Sequence, residues 1–254
     1  MLDLHAHILP GLDDGVRTVE EALELARASV DDGVTTIAAT PHVREDYPTT
    51  ARAIEAGAAE LRRHLRSERI PLVLVTGGEV ALERLQLLDD EELQALTLAQ
   101  TGRYLLLEFP DFGWPLALDA AVDRLLRRGI VPVLAHPERN SEIRERPRRL
   151  AAVVDAGALV QMTAMSLDGR AGRRASAVAV ELLQLRLVHL LATDAHAPHV
   201  RAGGLGAACA AIRDDELAGF LVRDAPAAIL AGDDVGAPPA LGRRRPFAAF
   251  RKRV

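Results

Sequence analysis

The chain has 254 residues, of which 49% are hydrophobic, and it carries a formal net charge of −5. A chain of this length can form a single α/β barrel domain, and its negative charge excludes a general affinity for nucleic acid. The single cysteine, Cys209, excludes an intramolecular disulfide and indicates a reducing compartment, so we expect a cytoplasmic protein.

Short apolar runs alternate with amphipathic segments, starting directly at the N-terminus. The predicted strands are 2–7, 35–41, 72–77, 103–109, 130–135, 157–163 and 187–193. The predicted helices are 18–32, 50–66, 89–97, 115–128, 145–156 and 172–184, with short helices near 204–213, 214–221 and 224–231. Thr18 and Glu21 are expected to form a capping box at the first helix. Strict alternation of strand and helix favours a parallel sheet, and seven such units favour a barrel over an open sheet.

The two ends of the chain bear on location and domain count. No basic region followed by an apolar stretch opens the chain, so no signal peptide is expected. No transmembrane segment is predicted either, because no apolar run reaches the roughly 18 residues of a membrane span. No linker interrupts residues 1–235, which we predict to be one domain. Residues 236–254 are predicted to form a basic, solvent-exposed tail containing Arg243-Arg244-Arg245 and Arg251-Lys252-Arg253.

Histidines and acidic residues recur at the ends of the predicted strands. His5 and His7 share one face of the first strand, because side chains on a strand alternate between its two faces. The residues that follow at later strand ends are His42, Glu79, Glu108, His136 and Asp194. Each is separated from the previous one by about one or two βα units. Because the carboxyl ends of barrel strands meet at one rim, these residues are expected to converge there with Asp14 and His196.

This set of residues predicts a metal site, although a single histidine or carboxylate in such a position is more often structural. Buried carboxylates are costly unless they are paired or metal-bound, so four of them beside five histidines need cations. Nitrogen and oxygen ligands without thiolates favour Mn, Fe or Zn over Ca or Mg. Three divalent cations would change the charge of the cluster from −4 to +2 and attract phosphate. Arg139 and Arg201, nearby in the sequence, are expected to bind phosphate oxygens.

The remaining histidines and the cysteine have other expected roles. His64 is expected on a solvent-facing helix and His189 in a structural position, whereas His199 is either a rim residue or a contact of the site or its substrate. Cys209 has Asp215 six residues later in place of an arginine, so the loop of a cysteine-dependent phosphatase is absent.

The motifs and their order resemble those of the PHP (polymerase and histidinol phosphatase) superfamily. The opening segment DLHAHILPGLDDG is similar, more narrowly, to that of the bacterial capsule-type tyrosine-protein phosphatases (CpsB/CapC-like). The later motifs that agree are Thr40-Pro41-His42, Gly78-Glu79, Leu107-Glu108-Phe109, His136-Pro137-Glu138-Arg139 and Thr193-Asp194-Ala195-His196. Asp14 stands where the polymerase-associated and histidinol phosphatase branches tend to carry histidine. The resemblance covers residues 1–232.

The resemblance implies a distorted TIM-like (β/α)7 barrel of PHP type with three divalent metal ions, manganese in the first instance and iron or zinc as alternatives. One metal would take His5, His7, Glu79 and Asp194. A second would share Glu79 and add Glu108 and His136, and the third would take Asp14, His42 and His196. Arg139 and Arg201 would hold the phosphate.

The implied activity is metal-dependent phosphomonoester hydrolysis by a metal-bridging hydroxide, with phosphotyrosine on a protein as the substrate. The partner would be a phosphotyrosine protein such as a tyrosine kinase tail, in exopolysaccharide or capsule regulation, and a homo-oligomer is compatible with the sequence. Two alternatives remain open. One is a phosphatase or phosphodiesterase of a small metabolite such as a sugar or histidinol phosphate, and the other is a non-catalytic module that binds phosphorylated tails.

Overall fold

The computed structural model describes residues 1–198 and 204–242. The strands in this part of the chain are short and pair in parallel. They are β1 (Leu2–Ala6), β2 (Thr36–Ala39), β3 (His42–Val43), β4 (Val73–Thr76), β5 (Glu79–Ala81), β6 (Tyr104–Glu108), β7 (Val131–Ala135), β8 (Leu159–Thr163) and β9 (Leu190–Ala192). All seven predicted strands are confirmed in position, whereas β3 and β5 are additional short strands that lie just beyond the predicted strands 35–41 and 72–77.

Helices alternate with these strands, as predicted. They are α1 (Val19–Asp31), α2 (Ala51–Ser67), α3 (Asp90–Ala95), α4 (Leu118–Arg127), α5 (Ser141–Glu145), α6 (Leu150–Asp155), α7 (Arg173–Gln184), α8 (Leu205–Ile212), α9 (Asp215–Gly219) and α10 (Ala225–Ala231). No helix of the described residues combines the length and the apolar composition that a membrane crossing requires.

The strands form two parallel sheets that follow one another around the molecule. The first has the order β1-β2-β4 and the second the order β3-β5-β6-β7-β8-β9. They are joined where β2 leads into β3 and β4 leads into β5, because the Gly77 amide donates to Ala39 (3.0 Å) and the Glu79 amide donates to Pro41 (3.1 Å). At the other side, β1 and β9 meet through a bridge between Ala6 and Ala195. This irregular ring agrees with the predicted distorted barrel.

The chain bends at the junction between the two sheets for steric reasons. Pro41 has no amide hydrogen for a ladder bond, so regular pairing is interrupted there. A Cβ atom on Gly78 would lie 2.8 Å from the Leu96 side chain and 3.0 Å from that of Val43. A larger residue would require the Leu96 side chain to shift, so glycine favours this close approach, in which Glu79 lies beside His42 in the register of β5 and β3.

The helices pack their apolar faces against the outside of the sheets. In α1 that face includes Leu23 and Leu25, and Thr18 caps the helix by accepting a hydrogen bond from the Glu21 amide (3.3 Å). In a complete capping box the Glu21 carboxylate would accept from the Thr18 amide, but here it accepts from the Arg17 amide (2.7 Å). The first helix thus begins where the sequence predicts it.

Two helical predictions need correction. The predicted helix 145–156 is divided into α5, a 3-10 turn (Pro147–Arg149) and α6, because Pro147 lacks an amide hydrogen and disfavours a helical conformation at Arg146. The predicted helices 214–221 and 224–231 instead form one continuous segment, in which a π-helical turn (Phe220–Asp224) joins α9 to α10.

The C-terminal segment after α10 continues along the domain without helix or strand as far as residue 242. Arg186 donates to the Pro238 carbonyl (2.8 Å), and the Gly242 amide donates to Asp214 (2.8 Å). The division between a domain at 1–235 and a tail at 236–254 stays a prediction. Both arginine clusters of the tail lie outside the described residues.

Candidate metal centre

The nine predicted metal ligands come together at the carboxyl ends of the strands. The residues of this cluster, called the rim cluster below, are His5, His7, Asp14, His42, Glu79, Glu108, His136, Asp194 and His196. His5, His7 and Glu79 have no solvent-exposed surface, whereas Asp14 is largely open to solvent. The cluster therefore has a buried floor and an accessible edge.

Glu79 is the centre of the rim cluster. Its Oε2 atom lies 3.2 Å from His5 Nε2, 3.4 Å from His7 Nε2 and 3.0 Å from His42 Nδ1. Its Oε1 atom lies 3.0 Å from His136 Nε2. Burial opposes ionisation of Glu79, but His5, His136 and His42 hold the pKa of its carboxyl well below the ordinary value. Glu79 is therefore an anionic centre among imidazoles, a set of donors that could hold a divalent cation.

The ligand atoms fall into four overlapping groups, and within each group all atoms lie within 4.8 Å of one another. The groups are His7–Asp14–His42–His196, His5–Glu79–His136, His5–His7–Asp194 and His42–Glu79–Glu108. Spacings of this kind suit a shared divalent cation better than direct hydrogen bonds. Together the four groups contain every predicted ligand.

Two buried polar atoms at this place have no hydrogen-bond partner, which tests whether a cation fits. Glu79 Oε2 and His42 Nδ1 face each other at 3.0 Å, yet neither makes a hydrogen bond. Buried polar atoms without partners are rare in folded proteins. A cation between them would satisfy both, so the residues present fit a metal.

The backbone is left-handed at two residues of the cluster. His136, directly after β7, has a φ of 37°, and Asp194, just after β9, has a φ of 53°. Non-glycine residues rarely adopt this conformation. It is maintained here by hydrogen bonds from the His136 amide to the Gln161 carbonyl (2.9 Å) and from the Asp194 amide to the His5 carbonyl (2.8 Å). The sheet thus turns both side chains towards the cluster.

Arg139 lies beside the cluster, as the sequence predicts. Its Nη2 atom contacts the Asp194 carboxylate and donates to Thr163 Oγ1 (3.1 Å). Burial opposes the charged form of Asp194, but His5, His7 and Arg139 hold the pKa of its carboxyl well below the ordinary value. The predicted second arginine, Arg201, lies outside the described residues.

Glu108 differs electrostatically from Glu79 and Asp194. Burial, followed by the charge of Glu79, raises the pKa of the Glu108 carboxyl above its ordinary value. Arg44 partly compensates, since its Nη1 atom donates to Glu108 Oε1 (2.9 Å). The sequence analysis did not identify Arg44, because an arginine two residues after a ligand has no distinguishing pattern.

Two further residues that sequence reasoning missed orient the histidines. Asp13 Oδ2 lies 2.6 Å from His7 Nδ1, and the His7 imidazole contributes to lowering the pKa of Asp13 to about 2, against the effect of burial. Gln161 Oε1 lies 3.0 Å from His5 Nδ1. Ligating histidines commonly use their second nitrogen in this way. The available signals were the doubled aspartate of GLDDG and a lone amide in the predicted sixth strand.

The histidines assigned to other roles are placed largely as predicted. His64 lies on α2 with a partly exposed side chain that faces Glu60, and His189 is buried with its Nδ1 atom accepting from the Val160 amide (3.2 Å). Cys209 is half-buried on α8. His199 lies outside the described residues.

Comparison with known proteins identifies relatives over most of the chain. A family model described as "Capsular polysaccharide synthesis, CpsB/CapC" matches residues 1–230. Tyrosine-protein phosphatase YwqE of Bacillus subtilis is 39% identical over 197 residues, which are 77% of each chain. Tyrosine-protein phosphatase CpsB of Streptococcus pneumoniae is 28% identical over 204 residues, which are 77% of this chain and 83% of the relative.

Solved structures agree with these sequence relationships. A chain from a study of YwqE of Bacillus subtilis and CpsB of Streptococcus pneumoniae, described there as metal-dependent tyrosine phosphatases, superposes with a TM-score of 0.85. It is 32% identical, and the match covers 96% of this chain and 100% of that one. A β-aspartyl dipeptidase of Fervidobacterium islandicum shares the fold alone, with a TM-score of 0.51 and 15% identity. The chain, similar to YwqE over most of its length, belongs to the CpsB/CapC family.

Proposed function

We propose that this protein is a metal-dependent protein-tyrosine phosphatase. The observation that carries the proposal is the unpartnered Glu79 carboxylate oxygen, surrounded by three imidazole nitrogens at 3.0–3.4 Å inside the rim cluster. The names of the relatives, YwqE and CpsB, support phosphotyrosine as the substrate. A non-catalytic binding module would not need such a cluster.

We further propose three divalent cations, with manganese as the metal and iron or zinc as alternatives. His5, His7, Glu79 and Asp194 would hold the first cation. Glu79, Glu108 and His136 would hold the second, and Asp14, His42 and His196 the third. The ligand groups His5–His7–Asp194 and His7–Asp14–His42–His196 support the first and third sets, with His7 within reach of both. In the second set, Glu79 is the shared residue, since it is grouped with Glu108 and His42 on one side and with His136 and His5 on the other. When bound, such cations lower the pKa of water enough to supply a hydroxide nucleophile near neutral pH.

The protein's own residues would bind and orient the phosphate. Arg139 carries planar N–H donors that suit phosphate oxygens, and Thr163 and Asp194 fix its position. Burial opposes the charge of Arg139, but Asp194 and Glu138 raise the pKa of its guanidinium, so it stays charged. Arg201 is proposed as the second phosphate ligand. Four carboxylates alone would repel an anion, so phosphate binding depends on the cations.

The leaving group explains why no dedicated acid is required. A tyrosyl phenolate has a pKa of about 10 in water, so it can depart without strong protonation in the transition state. Alkyl phosphates, such as those of sugars, release a far more basic alkoxide. No dedicated general acid stands out in the sequence, which favours aryl over alkyl phosphates as substrates.

The proposed setting is regulation of capsule or exopolysaccharide synthesis in the cytoplasm, with a phosphorylated tyrosine kinase tail as a candidate partner. The family description supports a role in capsule synthesis, and the single cysteine supports the cytoplasmic location. The partner rests on the resemblance of the motifs alone.

The decisive experiment compares substrates with the metal-loaded protein. We expect hydrolysis of phosphotyrosine peptides and p-nitrophenyl phosphate with manganese, and much slower turnover of sugar phosphates and histidinol phosphate. Elemental analysis of the same preparation should give about three divalent ions per chain. A preference for the metabolites, or the absence of aryl phosphate hydrolysis with any of the three metals, would contradict the proposal.

A pair of histidine variants tests the site itself. His136→Ala should abolish hydrolysis and lower the metal content, because its Nε2 atom faces Glu79. His64→Ala, on the outer surface of α2, is the matched control and should retain wild-type activity. Circular dichroism should show that both variants are folded.

A further inference from the structure

Exposed apolar side chains are unevenly distributed over the described residues. Large apolar residues with high exposure are Val73, Leu87, Phe112 and Leu116. Val73 opens β4 at the amino end of the strands, opposite the rim cluster. Phe112 and Leu116, called the apolar rim pair below, are 84% and 96% exposed and lie in the loop that follows Glu108. Leu87 follows the neighbouring strand, since β5 pairs with β6.

Hydrogen bonds hold the loop of the apolar rim pair in place. Asn140, which is buried, donates from Nδ2 to the carbonyls of Pro110 (2.6 Å) and Gly113 (2.7 Å). Its Oδ1 atom accepts from the amides of Glu142 (2.8 Å) and Ile143 (3.0 Å) and so caps α5. All of the hydrogen-bonding capacity of this buried side chain is therefore used to join the loop to α5.

Asn140 also places this loop close to the rim cluster. Asn140 directly follows Arg139, which contacts Asp194 of the rim cluster. The loop therefore begins after one cluster residue, Glu108, and is fastened beside a second element of the site. Inside it, Phe109 and Trp114 pack at 5.9 Å between ring centroids. Phe112 and Leu116 are directed outward from a loop that is already ordered, so their exposure is not explained by the packing of the domain.

The neighbouring surface indicates the charge of what binds there. The segment 142–149 contains four arginines and two glutamates, and Asp111 precedes Phe112 in the loop, so the arginines exceed these acidic residues by one. One of the arginines, Arg149, lies 4.4 Å above the Trp114 ring and pairs with Glu142 (2.6 Å). An excess of positive charge beside an exposed apolar pair suits an anionic chain with apolar residues.

We propose that the apolar rim pair binds apolar residues adjacent to the phosphotyrosine of a polypeptide substrate. This inference rests on the proposed function, because the phosphate must then lie at the rim cluster. A phosphotyrosine in a polypeptide has chain on both sides, and that chain must cross the rim loops. Phe112 and Leu116, on the hydrogen-bonded loop after Glu108, would contact this flanking chain. The enzyme would then select peptides by their flanking residues as well as by the phosphoryl group.

The test compares two phosphotyrosine peptides of equal length and charge, one with leucines and one with serines beside the phosphotyrosine. The metal-loaded wild-type enzyme should prefer the leucine peptide in kcat/KM, mainly through a lower KM. In the double variant Phe112→Ser/Leu116→Ser this preference should fall about tenfold, as expected for loss of roughly one large apolar contact. Val73→Ser, which removes another exposed apolar side chain at the opposite end, should keep this preference.

Binding is measured separately from turnover, so that the two proposals fail in different ways. A fluorescent leucine peptide with phosphonomethyl-phenylalanine in place of phosphotyrosine cannot be hydrolysed, and its Kd should rise about tenfold in the double variant. An unchanged Kd and an unchanged peptide preference would overturn the role of the pair. Conversion of an oligomer to monomers in light scattering, with peptide preference unchanged, would assign the pair to a contact between copies and also overturn it. Absence of p-nitrophenyl phosphate hydrolysis by the wild type would instead contradict the proposed function.

Discussion

Asp13 and His7 are in close contact at the edge of the cluster, where Asp13 Oδ2 lies 2.6 Å from His7 Nδ1. The same carboxylate accepts from the amides of His42 (2.9 Å) and Gly15 (2.9 Å). This contact fixes the ring so that Nε2, on the other side, points at Glu79 and Asp194. One aspartate thus orients a candidate ligand and positions the backbone of another.

We predict that Asp13→Asn lowers metal affinity by about 10- to 100-fold, as is typical when a partner of a ligating histidine is lost. Only one of the two side-chain oxygens is retained in asparagine, so at least one of the three hydrogen bonds is lost. Isothermal titration with manganese measures the effect. Asp123→Asn, on the exposed face of α4, is the control. Equal affinity in Asp13→Asn and the wild type would show that Asp13 does not orient His7.

Glycine variants test how tightly the loop after β1 closes on His7. A Cβ atom on Gly15 would overlap the His7 carbonyl oxygen and lie 2.5 Å from His7 Cβ. Gly15→Ala should therefore lower the free energy of unfolding by roughly 1–3 kcal/mol and reduce manganese binding. Gly57→Ala, inside α2, meets only ordinary contacts at 3.6 Å and should raise stability by about 0.5–1 kcal/mol. Chemical denaturation of both variants measures the contrast, and a stable, metal-binding Gly15→Ala would contradict this prediction.

Metal removal should destabilise the fold as well as abolish hydrolysis. The carboxylates of Glu79 and Asp194 are buried, and a cation that binds only the folded state stabilises it by mass action. With manganese at about a hundred times its Kd, we expect a chelator to lower Tm by roughly 5–10 °C. Scanning fluorimetry with and without manganese measures this shift. The Tm of Glu79→Gln should respond little to chelation, and an equal response in both proteins would place the effect outside the cluster.

His189 predicts a pH dependence of stability that is separate from the metal site. Burial lowers the pKa of His189 to about 4, against 6.5 for an exposed histidine. The unfolded chain therefore binds more protons between pH 6.5 and 4, and the free energy of unfolding falls as the pH falls through this window, by at most about 1.4 kcal/mol per unit. His189→Asn retains an acceptor for the Val160 amide but does not titrate. As the pH is lowered from 7 to 5, the free energy of unfolding should fall more in the wild type than in His189→Asn. An equal fall in both proteins would contradict the assignment.

Much of the fold follows from local information in the sequence. The strand and helix periods, and the Thr18 cap of α1, depend on residues close together in the chain, which is why the predicted order of elements is confirmed. The errors are also local in origin. The interruption at Pro147 overrides an amphipathic pattern that would otherwise continue, and the bend after Ala39 is followed by a short strand, β3, that was not predicted.

The ligands of the candidate site could be predicted because most of them lie near the end of a predicted strand, and the carboxyl ends of barrel strands lie on one rim. His5 and Asp194 are distant in sequence, yet both lie at strand ends and their ligand atoms are 3.5 Å apart. Residues that act on the ligands from behind were not predictable, because their partners come from other strands. Gln161 contacts His5, and nothing near Gln161 in the sequence indicates this contact.

The sequence by itself determined the order of the elements, the identity of the nine candidate ligands and the membership of the family. Each depends on residue type and spacing, which folding does not change. Only the tertiary structure decided that Asp13 rather than Asp14 orients His7, and that the Glu79 oxygen lies unpartnered among three imidazoles. It also showed Phe112 exposed on an ordered loop. These relationships arise from side chains of different strands and loops, which become neighbours only when the sheets assemble.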